Sequence, residues 1–425
     1  MRLLCAADIH LGRRPSRLPV PLAERARDLG PAGAWRRMVD EALDLAVDAV
    51  LLAGDVVDSD DDFFEAYADL REGVERLRQA QIPVFAVAGN HDVQVLPRLA
   101  EAVPEGFTLL GQGGRWEART VPHDDGARVR ILGWSFPESH PTLDPLASLA
   151  HDRASGVTIG LLHCDRDQTG STYAPVRSAD LAAAPVDAWL LGHVHKPDIA
   201  PGPRPMGYLG SLVGTDPGEP GAHGAWLLEV APDGRIDISL LPLAPLRWET
   251  LELRLDDLAD AGDVLPGIAS ALDTLPARLD GARPEAIGCR LRLAGRTPHR
   301  RAIGELLSKD EPRGIHVVLE GGVRAFVHAW TLEAQPAYDL AALAGGSDPV
   351  GLLARKLLTI RGQGDPDERR TLLRSARERL VGVVGERYLK TAHLEAPDTE
   401  AVAHLLESAA LEALDALLAQ AEERS

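Results

Sequence analysis

Five short segments of this chain carry side chains able to bind a metal ion: Asp8-Ile9-His10, Gly54-Asp55, Gly89-Asn90-His91-Asp92, His163 and Gly192-His193-Val194-His195. Oxygen and imidazole donors without a thiolate suit manganese, iron or zinc, and they argue against a cysteine-rich structural zinc site. The candidate donors Asp8, His10, Asp55, Asn90, His163, His193 and His195 are too many for one tetrahedral ion. They suit two ions sharing a bridging carboxylate. Two cations roughly 3.5–4 Å apart form the usual clamp for in-line displacement at phosphorus. His91, beside Asn90, is placed to act without binding metal, meeting a phosphate or protonating a leaving oxygen.

Each segment follows an apolar run that reads as a buried strand: Leu3–Ala7, Ala49–Ala53, Val84–Ala88, Val157–Leu162 and Ala188–Leu191. Short β-rich runs bounded by Gly or a polar turn mark strands covered on both faces. Ligands at the carboxyl ends of neighbouring strands converge on one crevice, where open α/β sheets place their sites. Any one of these histidines alone would be read as an ordinary polar residue at a strand end. Five such segments in order argue for a site.

The pattern D-x-H…G-D-x-x-D…G-N-H-D…H…G-H-x-H, from Asp8 to His195, resembles the calcineurin-like metallophosphoesterases. Asp8-Ile9-His10-Leu11-Gly12 and Tyr208-Leu209-Gly210-Ser211-Leu212 are more narrowly similar to SbcD-type and YhaO-like DNA-repair nucleases. The resemblance implies that Asp8, His10 and His195 hold one metal and that Asn90, His163 and His193 hold the other. Asp55 would then bridge them and His91 would be the catalytic histidine. It also implies a four-layer α-β-β-α sandwich with two divalent ions, Mn²⁺ first and Fe²⁺, Mg²⁺ or Zn²⁺ as alternatives. DNA is the implied substrate, with an SbcC-like coiled-coil ATPase and a second copy of the chain as the partners to consider.

Net charge sets a tension with that substrate. At −19 the chain lacks the basic run that drives non-specific duplex binding through counterion release. Arg13, Arg14 and Arg17 follow the first motif, and Arg13 and Arg14 are the candidate substrate contacts. Asp58-Ser59-Asp60-Asp61-Asp62 reads as a solvated acidic loop before a helix. Cys5, Cys164 and Cys289 are too scattered for a disulfide framework, which suggests a reducing compartment. Cys5 and Cys164, in or beside strands, read as small buried hydrophobes. No apolar stretch approaches the roughly 20 residues of a membrane span, and cleavage of a signal peptide would remove Asp8 and His10. The expectation is a cytoplasmic protein.

A length of 425 residues suggests two or three domains. A catalytic domain is expected over residues 1–246, with amphipathic helices at Ala34–Ala46 and Phe63–Gln79. A hairpin at Ala225–Val230 and Ile236–Leu241, around Asp233-Gly234, is expected to finish a second sheet. Residues 247–334 alternate strand and helix patterns: Trp248–Leu255, Asp256–Leu275 broken by Pro266, Ile287–Leu293, His299–Ser308, Ile315–Glu320 and Ala325–Leu332. This small α/β unit resembles the capping domain of SbcD-type nucleases. Residues 335–425 read as helices at Val350–Ile360, Pro366–Val384 and from Asp398 on, with Asp348-Pro349 as N-cap and N1. An apolar stripe of Val402, Leu405, Leu406, Ala409, Leu414, Leu417 and Leu418 either packs on the protein's own body or docks a partner.

Three functions fit these residues: a two-metal DNA nuclease subunit, a phosphodiesterase for small substrates such as cyclic nucleotides, and a non-catalytic scaffold. The cap and helical tail favour the first, and the acidic balance favours the second. The complete ligand set argues against the third.

Overall fold

A computed structural model describes residues 1–422 apart from 60–62, 104, 123–127, 151–155, 169, 280, 310–313, 338 and 385–396. Of the acidic loop, Asp60, Asp61 and Asp62 therefore lie outside the described residues. The chain divides into two compact units. One comprises Met1–Thr250, Leu272–Arg290 and Arg313–Ala329, and the other Leu251–Ala271, Leu291–Pro312 and Trp330–Ser425.

In the first unit the strands are β1 (Arg2–Ala6), β2 (Ala49–Ala53), β3 (Val84–Val87), β4 (Phe107–Leu109), β5 (Glu117–Pro122) and β6 (Arg128–Trp134). They continue with β7 (Val157–His163), β8 (Ala188–Gly192), β9 (Met206–Tyr208), β10 (Ala225–Val230) and β11 (Ile236–Leu241). All five expected site strands form, within a residue of their expected ends. They are divided between two sheets, of order β11-β10-β1-β2-β3-β4 and β5-β6-β7-β8-β9. Strands β1, β2 and β3 run parallel, as do β7 and β8. The hairpin of β10 and β11 forms at the expected residues but extends the first sheet, with Cys5 opposite Trp226. The expectation that it finishes a second sheet is corrected. A hairpin's own pattern does not say which edge it will cover.

Alternation explains the layering. Leu3 and Cys5 of β1, with Leu51, Val87, Ile131, Leu161 and Leu190, fill the space between the sheets. Leu4 and Ala6 face the other way, onto α1 (Pro31–Asp44) and α2 (Phe63–Gln79). Trp35, Met38, Val39 and Ala42 recur along α1 at helical spacing and are buried, and Trp35 Nε1 donates to Asp69 O at 3.0 Å. On the outer face of the second sheet, Trp189 and Leu191 pack with Leu181 of α3 (Ser178–Ala183). The result is the expected α-β-β-α sandwich.

Beyond these come β12 (Leu246–Arg254), α4 (Val264–Asp273), β13 (Ala286–Ala294), α5 (Arg300–Lys309), β14 (His316–Val318) and β15 (Arg324–Leu332). Their four strands form one sheet, in the order β12-β13-β15-β14. Pro266 was expected to break a helix. It lies within the first turn of α4, where no intrahelical N–H bond is needed.

In the second unit, α6 (Pro349–Ile360), α7 (Pro366–Val384) and α8 (Thr399–Glu422) pack together. Asp348 caps α6 by accepting from Gly351 N at 2.8 Å, and Asp398 accepts from Ala401 N at 2.8 Å. The stripe on α8 faces mostly inward. Leu414 packs with Ala354 and Leu357, and Val402 packs with Ile360 and Leu373. Leu405 points outward, 53% exposed.

Candidate metal centre

The turns after three of the site strands, β1, β2 and β8, have unusual backbone. Asp8, His10 and Asp55 hold φ of 49°, 55° and 49°, and His193 holds 105°, where L side chains are strained. Asp8 N donates to Gly54 O at 3.1 Å and His10 N to Asp55 O at 3.0 Å, which ties the first two turns together. Gly54, at φ 94°, and Gly89 have no room for a side chain. A Cβ at Gly54 would overlap the His163 ring, and one at Gly89 would overlap Asp55 Oδ1 and the same ring.

The two sheets bring all seven candidate donors and His91 together. The His10 and His195 Nε2 atoms lie 3.1 Å apart. Asn90 Oδ1 lies 3.1 Å from both His163 Nε2 and His193 Nδ1. Asp55 Oδ2 is 3.4 Å from His163 Nε2 and 4.0 Å from His10 Nε2. Donor atoms of Asp8, His10 and His195 all lie within 4.8 Å of one another, as do those of Asp8, Asp55 and His163, and of His10, Asp55 and His91.

The far side of each ring fixes its tautomer. His195 Nδ1 faces Glu219 Oε1 at 2.7 Å, and His10 Nδ1 faces Asp58 Oδ1 at 3.0 Å. His163 Nδ1 faces Ala53 O at 3.2 Å, and His193 Nε2 faces Asp165 Oδ1 at 3.3 Å. Each acceptor calls for an N–H on that side and leaves a lone pair on the other. Lone pairs of His10 and His195 therefore meet head on. Those of His163 and His193 meet the amide oxygen of Asn90 and, at His163, the Asp55 carboxylate. Acceptors crowded without donors need cations between them, so the residues fit divalent metal ions.

Electrostatics agree. Burial raises the carboxyl of Asp8. Burial also works against Asp55, but the charge and hydrogen bond of His163 outweigh it and hold Asp55 well below the usual range. Burial pulls His163 down, and Asp55 more than offsets this, taking it up to about 9. His193 is pushed down to about 4 by burial and then by His163. Asp92 is fully buried, accepts from Gly89 N at 2.8 Å and Val56 N at 2.7 Å, and is raised to about 7 by burial and then by Asp55. Without a cation, His163 carries the balancing proton, which metal must displace.

His91 is exposed, with Nδ1 2.7 Å from Asp58 O and its own backbone N donating to Asp55 Oδ1 at 3.0 Å. That leaves its Nε2 for a substrate. Of the two candidate substrate arginines, Arg14 is paired with Glu65 at 3.4 Å, whereas among the described residues the Arg13 side chain has no hydrogen bond or ion pair. The sequence reading missed Glu219, Asp165, Asp92 and the carboxylate of Asp58 as groups that orient the donors. Asp58 and Asp92 stand inside the quoted motifs. Glu219 lies in the loop after Tyr208–Leu212, with no pattern to mark it. Cys5 and Cys164 are buried, as expected, Cys289 is buried as well, and burial raises each thiol.

Residues 1–197 match the calcineurin-like phosphoesterase family. That span includes every candidate donor. The chain is 28% identical over 261 residues to an uncharacterized metallophosphoesterase, YhaO, of Bacillus subtilis, covering 57% of this chain and 60% of that protein. It is 36% identical over 150 residues to a DNA double-strand break repair protein Mre11 of Methanosarcina mazei, covering 33% and 23%. To the Mre11 of Aeropyrum pernix it is 30% identical over 227 residues, covering 50% and 53%. The chain spans less than two thirds of each of these relatives. Among the described residues no helix is long and apolar enough to cross a membrane.

Proposed function

We propose that the chain is a two-metal phosphodiesterase whose substrate is DNA. The observation that carries the phosphodiesterase reading is the convergence of imidazole nitrogens and carboxylates, each ring having an oxygen acceptor within 3.3 Å of its outer nitrogen. Asp8, His10 and His195 would hold one ion, Asn90, His163 and His193 the other, and Asp55 both. Two divalent cations, manganese first, would supply Lewis-acid stabilisation of a phosphoryl group and an activated water. The protein's own part is to place and to protonate. His91 Nδ1–H donates to Asp58 O, so in the imidazolium form its Nε2–H can donate to a non-bridging phosphate oxygen or pass that proton to the leaving alkoxide, leaving neutral imidazole. Asp92 clamps the amides of Val56 and Gly89, holding the turns of Asp55 and Asn90 in register.

The DNA reading is supported by the DNA-repair relatives. A nuclease subunit of a cytoplasmic SbcC-like ATPase complex is its finer form, with residues 247–334 as a cap and 335–425 as the docking region. Because the stripe of α8 is largely spent on α6 and α7, docking would rest on outward residues such as Leu405. A homodimer is compatible with this reading. The acidic balance favours the second reading, a phosphodiesterase for small substrates. The test is hydrolysis of bis(p-nitrophenyl) phosphate and of linear DNA by the manganese-loaded protein, alone and with an SbcC-like ATPase. Loss of both activities in chelator is expected. Full activity in excess chelator would refute the two-metal reading, and small-diester hydrolysis with intact DNA in every condition would favour the second.

A further inference from the structure

Five arginines of the first unit are neutralised: Arg14 by Glu65, Arg27 by Asp69, Arg25 and Arg37 by Glu285, and Arg247 by Glu249. Arg13, Arg17 and Arg290 differ. Arg17 and Arg290 are exposed and Arg13 partly so, and among the described residues none of the three side chains has a hydrogen bond or ion pair. In a chain with 64 acidic and 45 basic residues, carboxylates are in surplus. An arginine left without one is available to an anion from outside.

The fold brings these three into one neighbourhood although Arg290 is remote in sequence. Ser16, between Arg13 and Arg17, donates through N to Thr215 O and through Oγ to Asp216 Oδ2, both at 2.8 Å. The adjacent Gly214 O accepts from Trp248 Nε1 at 2.9 Å. Trp248 lies over Gly288 and packs edge-on against Phe326 and His328, with ring centroids 5.8 and 5.2 Å away. Arg290 is two residues beyond Gly288 on β13, and His328 two beyond Phe326 on β15, so both continue the face that holds Trp248. After burial, the charges of Arg290 and then Arg17 bring His328 down to about 4. At the other end, the charge of Arg13 acts on His195. Asp216, already accepting from Ser16 Oγ and Gly218 N, offsets part of this charge.

We propose that Arg13, Arg17 and Arg290 form a track that binds successive backbone phosphates of a nucleic-acid strand leading away from the metal centre. This rests on the nucleic-acid reading above. Guanidinium forks suit phosphates, and a spaced row of them fits a polyanion better than a mononucleotide. It also reconciles a net charge of −19 with a DNA substrate, since binding depends on local rather than total charge.

The experiment is fluorescence anisotropy of a labelled single-stranded oligonucleotide against salt concentration, in the His91→Gln background to prevent cleavage. Arg17→Gln and Arg290→Gln should each weaken binding and lower the slope of log affinity against log salt by roughly 0.7–0.9. The double variant should lose about twice that, Arg290→Lys should keep the slope, and Arg374→Gln, an exposed arginine in α7, should change nothing. Melting temperatures verify folding. An unchanged slope in the double variant, or an equal loss in Arg374→Gln, overturns the track while leaving the DNA reading intact. If the parent protein hydrolyses bis(p-nitrophenyl) phosphate yet binds no oligonucleotide at low salt, the DNA reading fails and the track with it.

Discussion

The loops of the metal centre and the helices α6, α7 and α8 are built on opposite terms. Among the described residues, every non-glycine residue with positive φ lies in the first unit, and four of them are candidate ligands: Asp8, His10, Asp55 and His193. Such conformations cost roughly 1–3 kcal/mol each, and buried carboxylates add repulsion among Asp8, Asp55 and Asp92. The helical region has proline at the start of α6 and α7, aspartate caps on α6 and α8, and apolar faces packed on one another. One region spends stability to hold donors in place, and the other supplies it. Mutations should therefore separate function from stability by region.

The sharpest break should come at Asp55. Asp55→Asn removes the charge that draws cations toward both donor groups. It should bind little metal and lose at least about 10⁴-fold in phosphodiester hydrolysis, several kcal/mol of transition-state stabilisation. Metal content by mass spectrometry together with turnover checks this, and wild-type turnover would sink the two-metal reading. His91→Ala should lower turnover by roughly 10²–10⁴-fold with metal content near wild type. Loss of one metal equivalent would instead make His91 a ligand, an outcome its closeness to His10 and Asp55 makes worth checking.

Leu414→Ala probes the other region. It should cost roughly 2–5 kcal/mol of stability, read by denaturant unfolding, while metal content stays unchanged. Removing Asp398–Ser425 would take away Val402 and Leu414 together, so that truncation is expected to unfold the second unit rather than only abolish docking. Glu219→Ala should weaken metal binding by roughly 10–100-fold, measured by calorimetry, because His195 is then free to present the wrong nitrogen. Unchanged affinity would mean that packing alone orients the ring.

The smallest effect concerns pH. His328 is held at about 4 by burial and then by nearby arginines, against about 6.5 when unfolded. The unfolded chain therefore binds the proton first as pH falls, so this contribution to stability is complete above about 6.5 and declines toward pH 4. Melting temperatures of His328→Gln and wild type should converge across that window as pH falls. Parallel curves would place His328 outside the low-dielectric face of Trp248.

Much of the site was legible in the chain because ligand types at strand ends are a local signal. The five apolar runs, Phe63–Gln79 and the hairpin strands were readable from period and punctuation alone. Strands β4, β5 and β6 passed unread: β4 is only three residues long, and β5 is mostly polar on its exposed side. The stripe on α8 could be read as apolar, but its partner could not, since periodicity reports a face and not what covers it.

By itself, then, the order of residues determined which donors exist, that each follows a strand, and that no thiolate competes with them. Tertiary structure decided that the donors come from two stacked sheets rather than one. It also decided that Glu219, Asp58, Asp165 and Ala53 O turn the imidazole lone pairs inward, and that Arg290 joins Arg13 and Arg17. The reason is range: alternation and turn chemistry act over a few residues. Tautomers, sheet assignment and unpaired charge depend on groups brought together across tens of residues, as Glu219 and His195 are, or more than a hundred, as Ala53 O and His163 Nδ1 are.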